Sequence, residues 1–245
     1  FIKRNYRKDA DIDKKIALKY LFVNSNIMLI YGAAGTGKTT LIKYISNMFG
    51  YARKLYITKT HTALQNVIRN LGKNFDNCDF EIIDSITRSN SAVVHDIVFI
   101  DECSTIDNRT MELLLGKISN DALIVMSGDV YQIESIDFGN WFFYAKDIVK
   151  AKGGSIELCS TWRTKKEELK GLWKAVREKS TIITEMLSMD GPFSENLGEN
   201  IFHLDEDEVV LCLNYDGKFG LNNMNQYFQN ANTNSKAFSW EEWSY

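Results

Sequence analysis

The sequence predicts an α/β fold built on a doubly wound parallel sheet. Short, wholly apolar runs, which are typical of strands buried on both faces, alternate along the chain with stretches of helical periodicity. Such alternation is typical of strand–helix units whose strands lie parallel in one sheet. A glycine-rich motif directly follows the first apolar run, Ile27 to Tyr31, where a strand-to-helix turn is expected.

The individual elements follow from the same patterns. An entry helix is expected at 12–21, where apolar residues recur at helical spacing after two aspartates that can cap it. Further strands are expected at 54–58, 92–100 and 122–126, and helices at 61–71 and 109–118. Another helix is expected directly after residue 39, with apolar residues from Leu41 to Phe49 on its buried face. A second alternation begins near residue 155, with a charged helix at 165–179, a strand at 209–213 and a helix at 221–228.

Two domains are expected. The stretch Lys150 to Gly154 contains two glycines and suggests a flexible join. We therefore predict a first domain over 1–150 and part of a second domain over 151–245. Because the chain begins at Phe1 rather than at methionine and ends on an aromatic-rich stretch, we expect it to be a fragment.

Composition limits the possible functions. The 245 residues carry a formal net charge of −3, so binding of nucleic acid by bulk positive charge is excluded and a local groove would be needed. The four cysteines form no CxxC pair, which argues against a zinc or disulfide scaffold and favours a cytoplasmic protein. No apolar run approaches the roughly 18 residues that a membrane span needs, so no membrane partner is expected.

The segment 32–39 matches the pattern GxxxxGK[ST] in full, between a predicted strand and a predicted helix. Its glycines allow backbone amides to face phosphate oxygens, and the following helix adds its positive end. The motif predicts a P-loop that binds ATP and Mg²⁺. Lys38 would reach the β and γ phosphates, and Thr39 would ligate magnesium. The predicted nucleotide-binding residues are Gly32, Ala33, Ala34, Gly35, Thr36, Gly37, Lys38, Thr39 and Thr40.

Two carboxylates, Asp101 and Glu102, follow the apolar run 98–100 at the carboxyl end of a predicted strand. Open parallel sheets bind their ligands at that edge. With the P-loop, the pair predicts that Asp101 holds magnesium through water and that Glu102 orients and deprotonates the attacking water. Without the P-loop, a helix cap would be an equal interpretation.

A third apolar run, 123–126, leads into Gly128, Asp129 and Gln132. A strand ending in GDxxQ, downstream of a P-loop and an Asp-Glu pair, resembles motif III of superfamily 1 helicases. The resemblance implies a RecA-like P-loop fold followed by part of a second RecA-like domain. It also implies that Gln132 senses the γ phosphate and that Asp129 supports it. A plain polar turn is the alternative.

Two further segments resemble motifs of that family. Thr58, Thr60 and His61 follow the second strand and look like motif Ia, which implies contacts with a nucleic-acid backbone; a capping stretch is the alternative. Trp162 and Arg163 resemble motif IV. The resemblance implies that Arg163 acts as an arginine finger on the γ phosphate and that Trp162 stacks on adenine. Without it, the arginine would be a surface charge and the tryptophan a core aromatic.

The residues after Gln132 and the segment 209–228 look most like RecD-type enzymes, a branch that typically moves 5′ to 3′ on DNA. Motifs V and VI do not follow residue 232, so the second motor domain is expected to be incomplete. The sequence thus predicts an ATPase that moves on single-stranded nucleic acid, with DNA favoured over RNA. An RNA helicase of the same superfamily is one alternative. An ATP-driven switch that acts on a protein partner in a defence or mobile-element system is the other.

Overall fold

The computed structural model describes residues 25–72, 77–132, 139–151, 154–160, 162, 166–178, 180–181, 210–212, 214–231, 239–240 and 243–244. Contacts divide the chain into two compact units, Phe1–Ile183 and Thr184–Tyr245. The predicted entry helix at 12–21 lies outside the described residues.

The first unit is built on one parallel sheet of six strands, which confirms the predicted doubly wound α/β fold. The strands follow the order β3-β2-β4-β5-β1-β6, so the chain runs from β1 to β2 and the edge strand β3, then returns through β4 and β5 and crosses β1 to reach β6. They are β1 (Ile27–Gly32), β2 (Lys54–Thr58), β3 (Cys78–Ile82), β4 (Ile97–Ile100), β5 (Leu123–Gly128) and β6 (Ser155–Leu158).

Helices connect these strands and cover the sheet. They are α1 (Lys38–Met48), α2 (His61–Leu71), α3 (Ile83–Arg88), α4 (Asn108–Leu115), α5 (Trp141–Ala151) and α6 (Glu167–Arg177), with a short 3-10 turn at Cys103–Thr105. Alternate residues of β1, β2, β4 and β5 pack in two separate cores. In β1, Leu29 packs with the cluster that contains Phe142, whereas Met28 and Ile30 pack with Leu41 of α1. Burial on both faces explains the continuous apolar runs in β1, β4 and β5.

Two strands differ from the prediction. The expected strand at 92–100 begins only at Ile97, and Val93 makes an isolated bridge to Ile118. The strand β3 was not expected from the sequence, because its residues alternate between half-buried and exposed, as is typical of a strand at the edge of a sheet.

The expected domain join also differs. Leu29 donates its amide to the Gly154 carbonyl (2.7 Å), and the strand β6 that follows pairs with β1 in the same sheet. A Cβ at Gly154 would lie 2.5 Å from the Ile27 oxygen, so this glycine permits a close approach of two backbones rather than a flexible link. The sheet therefore continues past residue 150 to include β6, and the contacts divide the chain after Ile183. A domain boundary at 150 stays a prediction.

The second unit contains α7 (Leu221–Ala231) and an antiparallel pair, β7 (Ser239–Trp240) with β8 (Trp243–Ser244). The helix expected at 221–228 is thus confirmed and runs three residues further. Residues 210–212 of the strand expected at 209–213 are not in a strand, and its two end residues lie outside the described part. A partial second RecA-like domain stays a prediction.

Candidate nucleotide-binding site

The glycine-rich segment forms a loop between the end of β1 and the start of α1. Gly35 and Gly37 have φ values of 78° and 86°, a left-handed conformation that favours glycine. The buried Thr36 hydroxyl donates to the Ala33 carbonyl oxygen (2.8 Å) and closes the loop on itself. Gly37 caps α1 and has no side chain to accept a hydrogen bond, so the first amides of the helix can face an anion.

The Lys38 ammonium lies over this loop. Its Nζ donates to the Gly32 carbonyl oxygen (2.7 Å) and to the Ala33 carbonyl oxygen (3.1 Å). Next in α1, Thr39 is half-buried and Thr40 is exposed. A lysine held against the loop backbone can exchange carbonyl oxygens for phosphate oxygens without crossing the site, which fits the role predicted for Lys38.

Asp101 follows β4 at the same edge of the sheet. Its Oδ1 accepts hydrogen bonds from the Glu102 amide (3.0 Å) and from the Ser127 hydroxyl of the neighbouring strand β5. Ser127 is fully buried and polar in an otherwise apolar strand, and this exception could have identified it from the sequence. These two bonds fix the carboxylate where it can receive a cation.

Glu102 combines two unusual features. Its φ of 57° is left-handed, which costs a residue other than glycine about 1 kcal/mol or more and is common at functional sites. Burial, followed by the negative charge of Asp101, raises the pKa of its carboxyl group, and the Lys38 ammonium partly opposes this. A carboxyl group with a raised pKa beside a phosphate-binding lysine suits a general base.

Cys103, adjacent to this pair, has no such role. The thiol is fully buried and donates to the Ile100 carbonyl oxygen (3.2 Å), and burial raises its pKa. Its environment is that of a packing residue.

The Asp129–Gln132 turn follows β5 and adjoins the P-loop. Asp129 is buried, its Oδ1 accepts the Tyr131 amide (3.0 Å), and its carbonyl oxygen accepts the Gln132 amide (3.3 Å). Gln132 is exposed and borders the same cavity as Ala33 and Ala34. Asp129 thus holds the turn, and Gln132 presents its amide beside the loop.

The three predicted nucleic-acid contacts have different environments. Thr58 is fully buried and its hydroxyl donates to the Thr60 carbonyl oxygen (2.9 Å), so this side chain braces the turn from inside. Thr60 and His61 are exposed at the start of α2. The Thr60 hydroxyl accepts the Ala63 amide (3.2 Å), which also makes it the cap of the helix.

The motif IV segment lies close to the P-loop at its one described residue. The Trp162 amide donates to the Gly35 carbonyl oxygen (2.8 Å), and the Trp162 side chain is 56% exposed. Because Trp162 is exposed, it is not the core aromatic that the alternative interpretation expected. Stacking of its ring on adenine stays a prediction. Arg163 lies outside the described residues.

Helix α6 also borders the site, which no motif in the sequence predicted. Trp173 and Arg177 of this helix border the cavity that Gln132 and the P-loop also border. Residues 165–179 gave only a charged helical pattern, and nothing in that pattern indicates which turn of the helix meets the P-loop. Among the described residues, no helix is long and apolar enough to cross a bilayer.

A glycine-rich loop, a lysine and two carboxylates meet at the carboxyl edge of a parallel sheet. This arrangement defines a P-loop domain that binds the phosphates of a nucleotide. The profile of the AAA domain family matches residues 13–194, and the chain belongs to this family. The predicted class of P-loop ATPase is thereby confirmed. No curated protein matches the chain in sequence.

Solved structures of Pif1 helicases have a similar fold. One, described as two coordinating Pif1 helicases unwinding forked double-stranded DNA, shares 16% identity at a TM-score of 0.52 and covers 73% of this chain and 51% of its own. Pif1 from Bacteroides bound to single-stranded DNA shares 17% identity at a TM-score of 0.49, with 71% and 47% covered. The chain spans about half the length of these proteins, and at such identities the likeness concerns the fold alone.

Proposed function

We propose that this chain is the ATP-binding core of an ATP-dependent helicase or translocase of superfamily 1 that moves on single-stranded DNA. The observation that carries the proposal is the meeting of three motifs at one sheet edge: the P-loop, the Asp101–Glu102 pair and the Asp129–Gln132 turn. The order of these motifs resembles that superfamily. The Pif1 helicases with a TM-score of 0.52 are described as unwinding forked DNA, which supports a DNA substrate.

In this proposal each residue of the site has a distinct task in ATP hydrolysis. Lys38 and the loop amides bind the β and γ phosphates. Thr39 and Asp101 would hold a magnesium ion, which neutralises charge on these phosphates when bound. Glu102 orients the attacking water and accepts its proton, a task that its raised pKa suits. Gln132 senses the γ phosphate from the turn after β5.

The nucleic-acid contact is proposed at the start of α2. Thr60 and His61 are exposed there, and amides at the amino end of a helix suit phosphate oxygens. Thr58 supports this turn from inside rather than by direct contact. Movement from 5′ to 3′, as in RecD-type enzymes, and a further protein partner remain predictions.

The test is ATP hydrolysis by the purified protein with Mg²⁺, alone and with single-stranded DNA or RNA. Lys38→Ala and Glu102→Gln serve as controls. Stimulation by DNA that both variants abolish supports the proposal, and stronger stimulation by RNA would favour an RNA helicase. Equal, Lys38-dependent rates with and without either polymer would contradict movement on nucleic acid. Together with the acidic net charge, they would favour an ATP-driven switch.

A further inference from the structure

A cavity of about 280 Å³ lies beside the P-loop in the first unit. Ala33 and Ala34 of the loop form one side of it, and Asp129 and Gln132 form another. The third side comes from α6, through Trp173 and Arg177. The cavity therefore joins the loop that binds phosphate to the last turn of a helix that none of the motifs includes.

Arg177 differs from the two lysines that precede it in α6. The ammonium of Lys170 pairs with the Glu167 carboxylate (2.7 Å), and that of Lys174 lies 3.9 Å from the Glu178 carboxylate. Arg177 instead borders the cavity, and its Nε donates to the Trp173 carbonyl oxygen one turn earlier (3.3 Å). That bond holds the Nε end of the guanidinium group in place. The other N–H groups of the guanidinium can donate hydrogen bonds to a ligand in the cavity.

A second observation relates the Arg177 charge to the turn after β5. Burial and the Glu157 carboxylate raise the pKa of the Tyr131 phenol, whereas the positive charge of Arg177 lowers it. Tyr131 also borders the cavity, and its hydroxyl donates to the Glu157 carboxylate (3.2 Å). The guanidinium group thus acts on the turn that carries Gln132, rather than on bulk solvent alone.

Phosphoryl transfer needs positive charge beside the γ phosphate. In hydrolysis the water oxygen bonds to the γ phosphorus and the bond to the β–γ bridging oxygen breaks. The electron pair leaves with ADP, and the water proton passes to Glu102. Negative charge spreads over the γ oxygens during this step, and a planar guanidinium group can hydrogen-bond two of them while it exchanges no proton.

We propose that Arg177 enters the γ-phosphate site from α6 and contacts the γ phosphate of bound ATP. This inference rests on the proposed function, since it needs a triphosphate on the P-loop. It assigns a role to a residue beyond those that the helicase motifs imply, and it is separate from the role predicted for Arg163. Trp173, one helical turn before Arg177, borders the same cavity.

The experiment compares Arg177→Ala and Arg177→Lys with Lys174→Ala, a matched control in the same helix whose cation faces a surface carboxylate. Binding of Mg-ADP and of a non-hydrolysable Mg-ATP analogue is measured by calorimetry, and ATP turnover is measured separately. The free energy of unfolding without nucleotide shows whether each variant is folded. Arg177→Lys keeps the charge and supplies the same readouts if Arg177→Ala does not fold.

We expect Arg177→Ala to bind ADP within about twofold of the wild type but to bind the ATP analogue at least about tenfold more weakly, with turnover lowered by about 100-fold or more. Arg177→Lys should recover part of the preference for ATP over ADP. If both variants keep the ATP preference and turnover of Lys174→Ala, the role of Arg177 is overturned while the proposed function stands. If the wild type binds neither nucleotide, and Lys38→Ala changes nothing, the proposed function fails and this inference fails with it.

Discussion

Replacement of Gly32 by alanine tests how tightly the P-loop is tied to the sheet. A Cβ at Gly32 would lie 2.4 Å from the carbonyl oxygen of Leu158, its partner in the pairing of β1 with β6. Ordinary contact begins at 3.4 Å, so the two strands would have to separate by about 1 Å. Leu158 is 1% exposed, and its strand cannot move outward without loosening the core.

The expected cost has two parts. Forcing an extra methyl group against packed backbone costs about 1–3 kcal/mol. The φ of 153° at Gly32, which side chains rarely adopt, adds about 1 kcal/mol. Alanine has less conformational freedom than glycine in the unfolded chain, which offsets about 0.4–1 kcal/mol of this loss of stability. We therefore expect Gly32→Ala to lower the free energy of unfolding by about 2–3 kcal/mol and to weaken nucleotide binding.

Two other glycines separate these contributions. Gly72 has a φ of 83°, but among the described residues a Cβ there would meet only the Lys43 ammonium, at 3.8 Å, so Gly72→Ala measures mainly backbone strain. Gly50 has no positive φ, and no atom of the described part of the chain lies within 4 Å of a Cβ built there, so Gly50→Ala should be neutral or slightly stabilising. Urea unfolding followed by circular dichroism gives all three values. A cost for Gly32→Ala no larger than that of Gly72→Ala would refute the argument from the Leu158 contact.

Three further changes probe the carboxylate pair, a helix cap and a buried hydroxyl. Because the pKa of Glu102 is raised in the folded state, its carboxyl group stabilises the fold below its ordinary pKa of 4.5, and this contribution is lost as pH rises. The free energy of unfolding of Glu102→Gln should therefore increase relative to that of the wild type between acid and neutral pH. A difference in this free energy that does not change with pH would contradict the prediction. Burial opposes ionisation of Asp107, but hydrogen bonds from Thr110 lower the pKa of its carboxyl group. Asp107→Ala should therefore lower the free energy of unfolding by about 1 kcal/mol at pH 7, and by less at acid pH, where the wild-type carboxylate is protonated. A loss of stability that is independent of pH would rule out a charged helix cap. Tyr56→Phe removes a buried hydrogen bond of 2.5 Å to the Ser46 hydroxyl and should lower the free energy of unfolding by about 1–2 kcal/mol. A double variant with Ser46→Ala should lose less stability than the sum of the two single variants. Additive losses in urea unfolding would exclude coupling of the two hydroxyls.

The sequence by itself determined the local features of this protein. The P-loop pattern fixes its own conformation, because only glycine readily adopts the left-handed φ found at Gly35 and Gly37. Continuous apolar runs determined β1, β4 and β5, since strands covered on both faces carry apolar side chains at every position. The carboxylates Asp101 and Glu102 were predicted for the same reason: they end such a run at the edge where parallel sheets bind ligands.

Tertiary structure decided the features that depend on pairs of distant segments. Gly154 looks in sequence like part of a flexible join, yet it allows β6 to approach β1 and extends the sheet past the predicted boundary. The bond from Ser127 to Asp101 joins neighbouring strands, and no local pattern specifies which strands become neighbours. Likewise, a charged helical repeat does not indicate that the last turn of α6 meets the P-loop. Local conformation follows from the chemistry of each residue, whereas contacts across the fold depend on how the strands are ordered and how the helices pack on them.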